Sequence, residues 1–431
     1  MKLLEWLDRS TCNFLAVKTI EEELRKCGYE ELRQEDSWEI KRGGKYYIKK
    51  NYSSIFAINV GMGDMAKFGC RIISAHSDSP CFKIKPNAEI YGDGGVVSLN
   101  VEKYGGGILY TWFDRPLSIS GRVMIKGEDS MHPRTRLIDF RRAVAIIPHL
   151  AIHFNRGVND GNKLSVQKDM KPVIGFYPED KISEFKRRGG ALKVLISEEL
   201  GIETEDILEY ELMLYPAETS SLVGVNNEYI QSARIDDLSM AFAGLEALIK
   251  SEEDSEATRV LAIFDNEETG SATKQGAASP ILKNIIHRIV MQIEGACEEK
   301  VYRTIANSFM ISADDAHAWH PNYNEKYDPT NHPVIGGGPV IKINANCKYM
   351  TDGESSAVFK SLCESAGVRC QYFVNHSDVA GGSTLGNISS SQLDIRGVDI
   401  GNAIWAMHSA RETAGVSDHN DVIKVFCEFY K

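Results

Sequence analysis

Five short segments set acidic or histidine residues directly after apolar, strand-like runs: AHSDSP (75–80), RIDDL (234–238), FDNEETGS (264–271), SADDAH (312–317) and AMHSARE (406–412). Taken singly, each has an ordinary explanation. His76 and Asp78 fit a capping or surface pair, and His408 on IWAMH fits a core histidine. Asp236–Asp237 and Glu267–Glu268 fit the first turn of a helix, where acidic residues are favoured. Jointly they offer more, because two histidines and several carboxylates form a ligand set for divalent zinc, manganese or cobalt. Adjacent glutamates allow one to hold metal while its neighbour acts as general base. Two ions about 3.5 Å apart need a shared carboxylate, and Asp236 is the candidate bridge. Asp78 is placed to orient the His76 imidazole or a neighbouring ligand.

Residues so far apart in sequence converge only if strands deliver them to one edge, and in open α/β sheets ligands bind beyond the carboxyl ends of strands. The pattern supplies such strands. An amphipathic helix is predicted over 12–27, then strands at 46–48, 55–60 and 70–74, the last running into His76. From about 87 the texture becomes β-rich, with Gly-rich turns between short alternating segments over 92–122. An apolar stretch at 141–154 holds His149 and His153, and a helical region over 181–200 is interrupted at Gly189 and Gly190. From about 230, helices (234–250, 279–295, 354–366, 418–430) alternate with strands (260–264, 309–311, 340–343, 371–374). That alternation predicts an α/β layered domain with a mostly parallel sheet. The expected arrangement is one α/β domain of residues 1–86 plus 230–431, interrupted by a β-rich insertion of 87–229. The acidic runs Glu21–Glu23 and 252–256 read as solvated faces.

Composition narrows the partners. The 431 residues carry 49 Lys+Arg against 60 Asp+Glu, a net charge of −11, with 43% hydrophobic and 25% charged residues. A chain of this size buries a core without disulfides. Its acidic balance argues against nucleic acid and anionic membrane as partners. Nine widely spaced cysteines with no CxxC fit a reducing compartment. No apolar run is long enough for a transmembrane helix, and Glu5 and Asp8 inside the first apolar run do not fit a signal peptide. The cytoplasm is the expected location.

The five segments, with SADDAHAWHPNY (312–323), GPVIKINAN (338–346) and GGSTLG (381–386), occur in the order and approximate spacing of the M18 metallo-aminopeptidases, which the chain resembles from about residue 10 to 430. That family includes the aspartyl aminopeptidases. The resemblance implies a zinc-peptidase-like three-layer α/β/α catalytic domain with an inserted dimerisation or lid domain. It implies two divalent ions per subunit, zinc first and cobalt or manganese as alternatives. His76, Asp236 and Asp314 would hold one; Asp236, Glu268 and His408 the other. Glu267 would be the general base and Asp78 would orient His76. His153, in LAIH, would serve a partner subunit's site. Lys342 matches a position near the substrate side chain in aspartyl aminopeptidases, and His317 and His320 would line the pocket. Implied too are peptide substrates and a dodecamer built from dimers.

Two segments depart from relatives. VNHSDVAGGSTLGNI (374–388) differs from the NDSPCG-type sequence of the eukaryotic aspartyl enzymes, though it keeps Asp378, a candidate for the substrate pocket; CKYMTDGES (347–355) is individual. Asp237 stands where many relatives carry Asn, and a cis Asp236–Asp237 peptide is expected. The near rival is another two-metal amidohydrolase, such as a carboxypeptidase; the distant one is a non-catalytic assembly protein.

Overall fold

The computed structural model describes residues 2–251 and 254–431; Glu252 and Glu253 of the acidic run lie outside the described residues. The chain divides into two compact units. One takes in the chain up to Asp78, Ser220–Met407 and Glu412–Lys431; the other takes in Ser79–Thr219 and His408–Arg411. None of the described helices is long and apolar enough to cross a membrane.

In the first unit, a nine-stranded sheet runs in the order Glu30–Glu31, Lys45–Lys50, Ser54–Asn59, Thr258–Phe264, Cys70–His76, Phe309–Ala313, Arg396–Gly401, Val340–Lys342 and Gln371–Phe373. The four strands at its centre are parallel, with Cys70–His76 between Thr258–Phe264 and Phe309–Ala313. Antiparallel pairings flank them on both sides. Side chains alternate between faces as strand geometry requires. Ile73, Ala75, Leu261 and Ile263 join one apolar cluster with Phe242, Leu245, Val422 and Phe426. Ile72, Val260, Ala262 and Phe264 join another with Ile285, Ile289, Val301 and Leu385. Helices Asn13–Lys26, Ile235–Lys250 and Val416–Phe429 therefore cover one face, and Ile281–Ile293, Glu298–Ala306 and Leu385–Leu393 the other. This is the expected three-layer α/β/α domain.

A smaller sheet in the same unit orders Ser221–Val223, Tyr229–Ser232, Glu412–Gly415, Ala403–Trp405 and Ala316–His317. It is not apparent in the sequence, because its strands are too short to show a period. The helix Lys2–Arg9 also escapes a periodicity reading at eight residues, although Leu3, Trp6 and Leu7 are buried.

The second unit is built on a six-stranded antiparallel sheet, ordered Arg134–Asp139, Leu117–Ile125, Ile207–Pro216, Cys81–Tyr91, Val96–Tyr104 and Val173–Phe176. Cys81–Tyr91 lies in this unit because it pairs with both Val96–Tyr104 and Ile207–Pro216. The helical region breaks where glycine predicts: Gly189 and Gly190, at φ 86° and 116°, separate Glu179–Arg187 from Ala191–Leu200. The apolar stretch 141–154 forms neither helix nor strand; isolated bridges hold Ala145, Ile146 and Ile147, while Leu150, Ile152 and Phe154 stand exposed.

Phe242 shows what secures the first layer. It is fully buried on the Ile235–Lys250 helix and packs 4.7 Å from the Trp6 ring. Phe242→Ala should destabilise the protein by about 3–5 kcal/mol, read as a lowered denaturation midpoint with the slope unchanged.

Candidate metal centre

The central parallel strands end level with one another. Phe264 is the register partner of His76, and Ser312 that of Ser74, so Asp314 arrives beside His76. Glu267 and Glu268 follow Phe264 in a single 3-10 turn, entered through Asn266 at φ 62°. Asp236 and Asp237 open the Ile235–Lys250 helix after Arg234 at φ 62°, and the bond between them is cis, as expected. Non-glycine residues with positive φ are uncommon and concentrate at functional sites.

The ligand-type atoms meet. His76, Asp236, Asp237 and Asp314 each offer one within 4.8 Å of the others, and His76, Glu267 and Glu268 form a second such group. His76 Nδ1 faces the Asp78 backbone carbonyl at 3.0 Å, which leaves Nε2 toward Asp236 Oδ1 at 3.4 Å. An N–H on Nδ1 bound to that carbonyl fixes Nε2 as the ligating nitrogen. The Asp78 carboxylate, 3.4 Å from Nδ1, also accepts from the backbone N–H groups of Glu267 and Glu268, each at 3.2 Å. One residue thus ties the histidine to the glutamate turn. The Asp236–Asp237 pair is pinned at both ends: Asp236 N–H donates to Glu412 at 3.1 Å, and Asp237 accepts from His76 N–H at 3.0 Å.

The electrostatics call for positive charge. Burial, reinforced by Asp314, Glu268 and Asp236, pushes the Glu267 carboxyl up to about 9. Burial and neighbouring carboxylates hold Asp237 and Asp315 well above the usual range. Burial raises Asp314 by more than the Lys342 ammonium, 3.5 Å away, lowers it. For His76, burial disfavours the charged ring, but Asp237, Asp236 and Asp78 outweigh it and hold the imidazole well above its ordinary value. Asp237 Oδ1 is buried without a hydrogen-bond partner among the described residues. Carboxylates packed this closely are costly to bury unless cations offset them. An imidazole nitrogen among carboxylate oxygens is the donor chemistry that zinc, manganese or cobalt takes, so these residues fit a metal.

The remaining candidates are Lys342, His317, His320, Asp378, His153 and His408. Lys342 is buried and paired with Asp314, its ammonium 5.7 Å from the Tyr349 ring centre. His317 is exposed, with its ring edge to Phe373 at 5.7 Å. His320 stacks beside Tyr323 at 4.9 Å. The Asp378 side chain is 92% exposed. His153 is an exposed residue of the second unit. His408, at φ 68°, is fixed in that unit too: its carbonyl accepts from Ile108 N–H at 2.9 Å, and Nδ1 lies 3.4 Å from the Gly106 carbonyl oxygen. The sequence reading passes over the second layer. Asp315 accepts from Ser239 and from Asn402 N–H, and Asp265 accepts from Asn13 at 3.0 Å. Glu412 stood in the AMHSARE motif, so the signal for it was present.

Known proteins resemble the chain throughout. The family model described as aminopeptidase I zinc metalloprotease (M18) matches residues 6–430. A Clostridium novyi protein called probable M18 family aminopeptidase 2 is 47% identical over 429 residues, covering 100% of this chain and 98% of that one. The structure titled as the Ape4 and Nbr1 complex superposes with TM-score 0.95 at 34% identity, covering 100% of this chain and 84% of its own. The S. cerevisiae mApe1 dodecamer gives 0.86 at 26% identity, covering 100% and 95%.

A carboxyl held at about 9 in the fold against 4.5 when free stays protonated in the folded state over a range where the unfolded chain has lost its proton. Its contribution therefore turns unfavourable as pH rises above 4.5 and levels off near 9. Chelator-treated protein should melt at progressively lower temperature across that window, and zinc should flatten the profile. A melting series with and without chelator reads both.

Proposed function

Because the chain belongs to the M18 family, it is a metallo-aminopeptidase, and we propose that it removes the N-terminal residue of peptides at a centre of two divalent ions. In this reading His76, Asp236 and Asp314 hold one ion, and Asp236, Glu268 and His408 the other. Zinc is the working metal and cobalt or manganese its substitutes. The observation that carries the reading is the convergence of His76, Asp236, Asp314, Glu267 and Glu268 at one sheet edge. Bound there, such ions supply Lewis acidity and bring water's pKa down to about 7.

The chain's own residues do the rest. Glu267 takes the proton of the attacking water at its carboxylate and hands it to the leaving amine. Burial keeps that carboxyl basic enough to hold a proton, and added positive charge nearby brings it toward neutrality. Asp78 keeps His76 and the glutamate turn in fixed relation. Glu267 and Asp314 are the acidic partners for the substrate's free α-amine. His153 of a neighbouring copy would face the developing oxyanion, with the β-rich unit as the dimerisation and lid element of a dodecamer. That assembly is proposed from the mApe1 neighbour. A cytoplasmic location fits the free cysteines.

Lys342 and Asp378 bear on specificity. An acidic preference requires the Lys342 ammonium to reach the substrate carboxylate in spite of its pairing with Asp314. With aspartyl-, glutamyl-, leucyl- and lysyl-chromogenic amides and a blocked peptide as control, the free-amine substrates should turn over and the blocked one should not. The reverse would reinstate a deacylase or carboxypeptidase. Glu267→Gln should keep its metal, by elemental analysis, and lose turnover by about 10²–10⁴-fold; unchanged turnover rejects the base. His408→Ala should drop from two ions per chain to one, and an unchanged content removes His408 from the ligand set.

A further inference from the structure

Asp399 is a fully buried carboxylate to which the mechanism assigns no task. It sits on the Arg396–Gly401 strand with Ser312 as its register partner, two residues before the Asp314 position. Val398 and Ile400 face the apolar layer of the Ile235–Lys250 helix, so Asp399 faces the opposite layer. There its oxygens are divided between two loops. Oδ1 accepts from the Thr384 hydroxyl at 2.6 Å, and Oδ2 from Met350 N–H at 2.6 Å. Its own N–H donates to the Thr351 hydroxyl at 2.9 Å. Thr384 is the N-cap residue of the Leu385–Leu393 helix, and a Cβ at Gly386 would overlap the carboxylate, so the helix start closes over it.

The two loops held in this way span 347–355 and 374–388. The second also walls a cavity of about 230 Å³ lined by His317, Lys326, Tyr327, Phe373, His376 and Val379. Two links lead from this cavity to the metal centre. Phe373 is the register partner of Lys342, whose ammonium pairs with Asp314, and His317 follows Asp314 by three residues. Its lining sets aromatic and branched side chains beside the Lys326 ammonium and two imidazoles, which gives room and polar partners for a side chain larger than a methyl group.

We propose that Asp399 is a specificity-determining positioning residue: by gripping Thr384 and Met350 it fixes the wall of this cavity, which receives a large side chain of the peptide. The inference rests on the aminopeptidase reading for its substrate half. Within it, Asp399 touches neither substrate nor metal; it acts through the 374–388 wall.

The test compares zinc-loaded wild type with Asp399→Asn, Thr384→Val and Thr384→Ser, using alanyl-, aspartyl-, leucyl- and phenylalanyl-amides. Amide hydrogen exchange over 374–388 is followed in parallel. Loss of a hydrogen bond to a buried carboxylate should raise KM for the aspartyl, leucyl and phenylalanyl amides by about tenfold or more, with a smaller change in kcat and in the alanyl KM. Exchange should quicken over 374–388 in Asp399→Asn and Thr384→Val. Thr384→Ser, which keeps the hydroxyl, should restore both readouts. Proportional losses on every amide, unaltered selectivity, unchanged exchange, or failure of the serine to rescue would each overturn the proposal. A wild type silent on all four amides rejects the aminopeptidase reading and the substrate half with it; exchange alone then judges the anchor, and an unchanged pattern overturns it.

Discussion

Everything in the first unit follows from the burial of like charge. Asp236, Asp237 and Asp314 lie within 4.8 Å of one another and of His76, all shielded from solvent. Water cannot screen them, so each raises its neighbours' affinity for protons. A fold keeps such a cluster only if hydrogen bonds and cations share the load. The parallel strands supply the geometry, because ending in register they bring residues from remote segments to one height.

Hydrogen bonds around the cluster divide the work. Asp78, Glu412, Asp315 and Asp265 orient backbone and side chains without adding ligand atoms to the two groups. Left-handed residues at Arg234 and Asn266 turn the chain so that the acidic pairs enter head-on. Asn266 suits its place, since its side-chain oxygen accepts from Thr273 and Gln275, each at 2.8 Å, and holds the turn closed.

The fold class and the convergence of the acidic segments were legible because both are written in period and position. Apolar runs of the right length ended at His76, Phe264 and Ala313, and the break at Gly189–Gly190 followed from glycine alone. What was illegible depended on partners distant in sequence. The Leu385–Leu393 helix carries three Ser with a Gly and an Asn, residues of modest helix propensity, and its start is held by Asp399 rather than by its own pattern. The strand carrying Asp399 interrupts an apolar run with a charge, which reads as a loop until its neighbours are known. That a mid-strand lysine such as Lys342 pairs with a carboxylate can be anticipated, but which carboxylate does so is not written in its own segment.

The order of the large sheet also bears on when the protein becomes able to act. Its Arg396–Gly401 strand lies between Phe309–Ala313 and Val340–Lys342, although it is the last of the nine to be synthesised. Until it has left the ribosome, the sheet remains in two pieces and Asp314 lacks the Ile400 carbonyl that accepts its N–H. Glu412, which steadies Asp236, arrives later still. A growing chain therefore carries its acidic segments unassembled until the Arg396–Gly401 strand and Glu412 have emerged, and hydrolytic competence is deferred to that point.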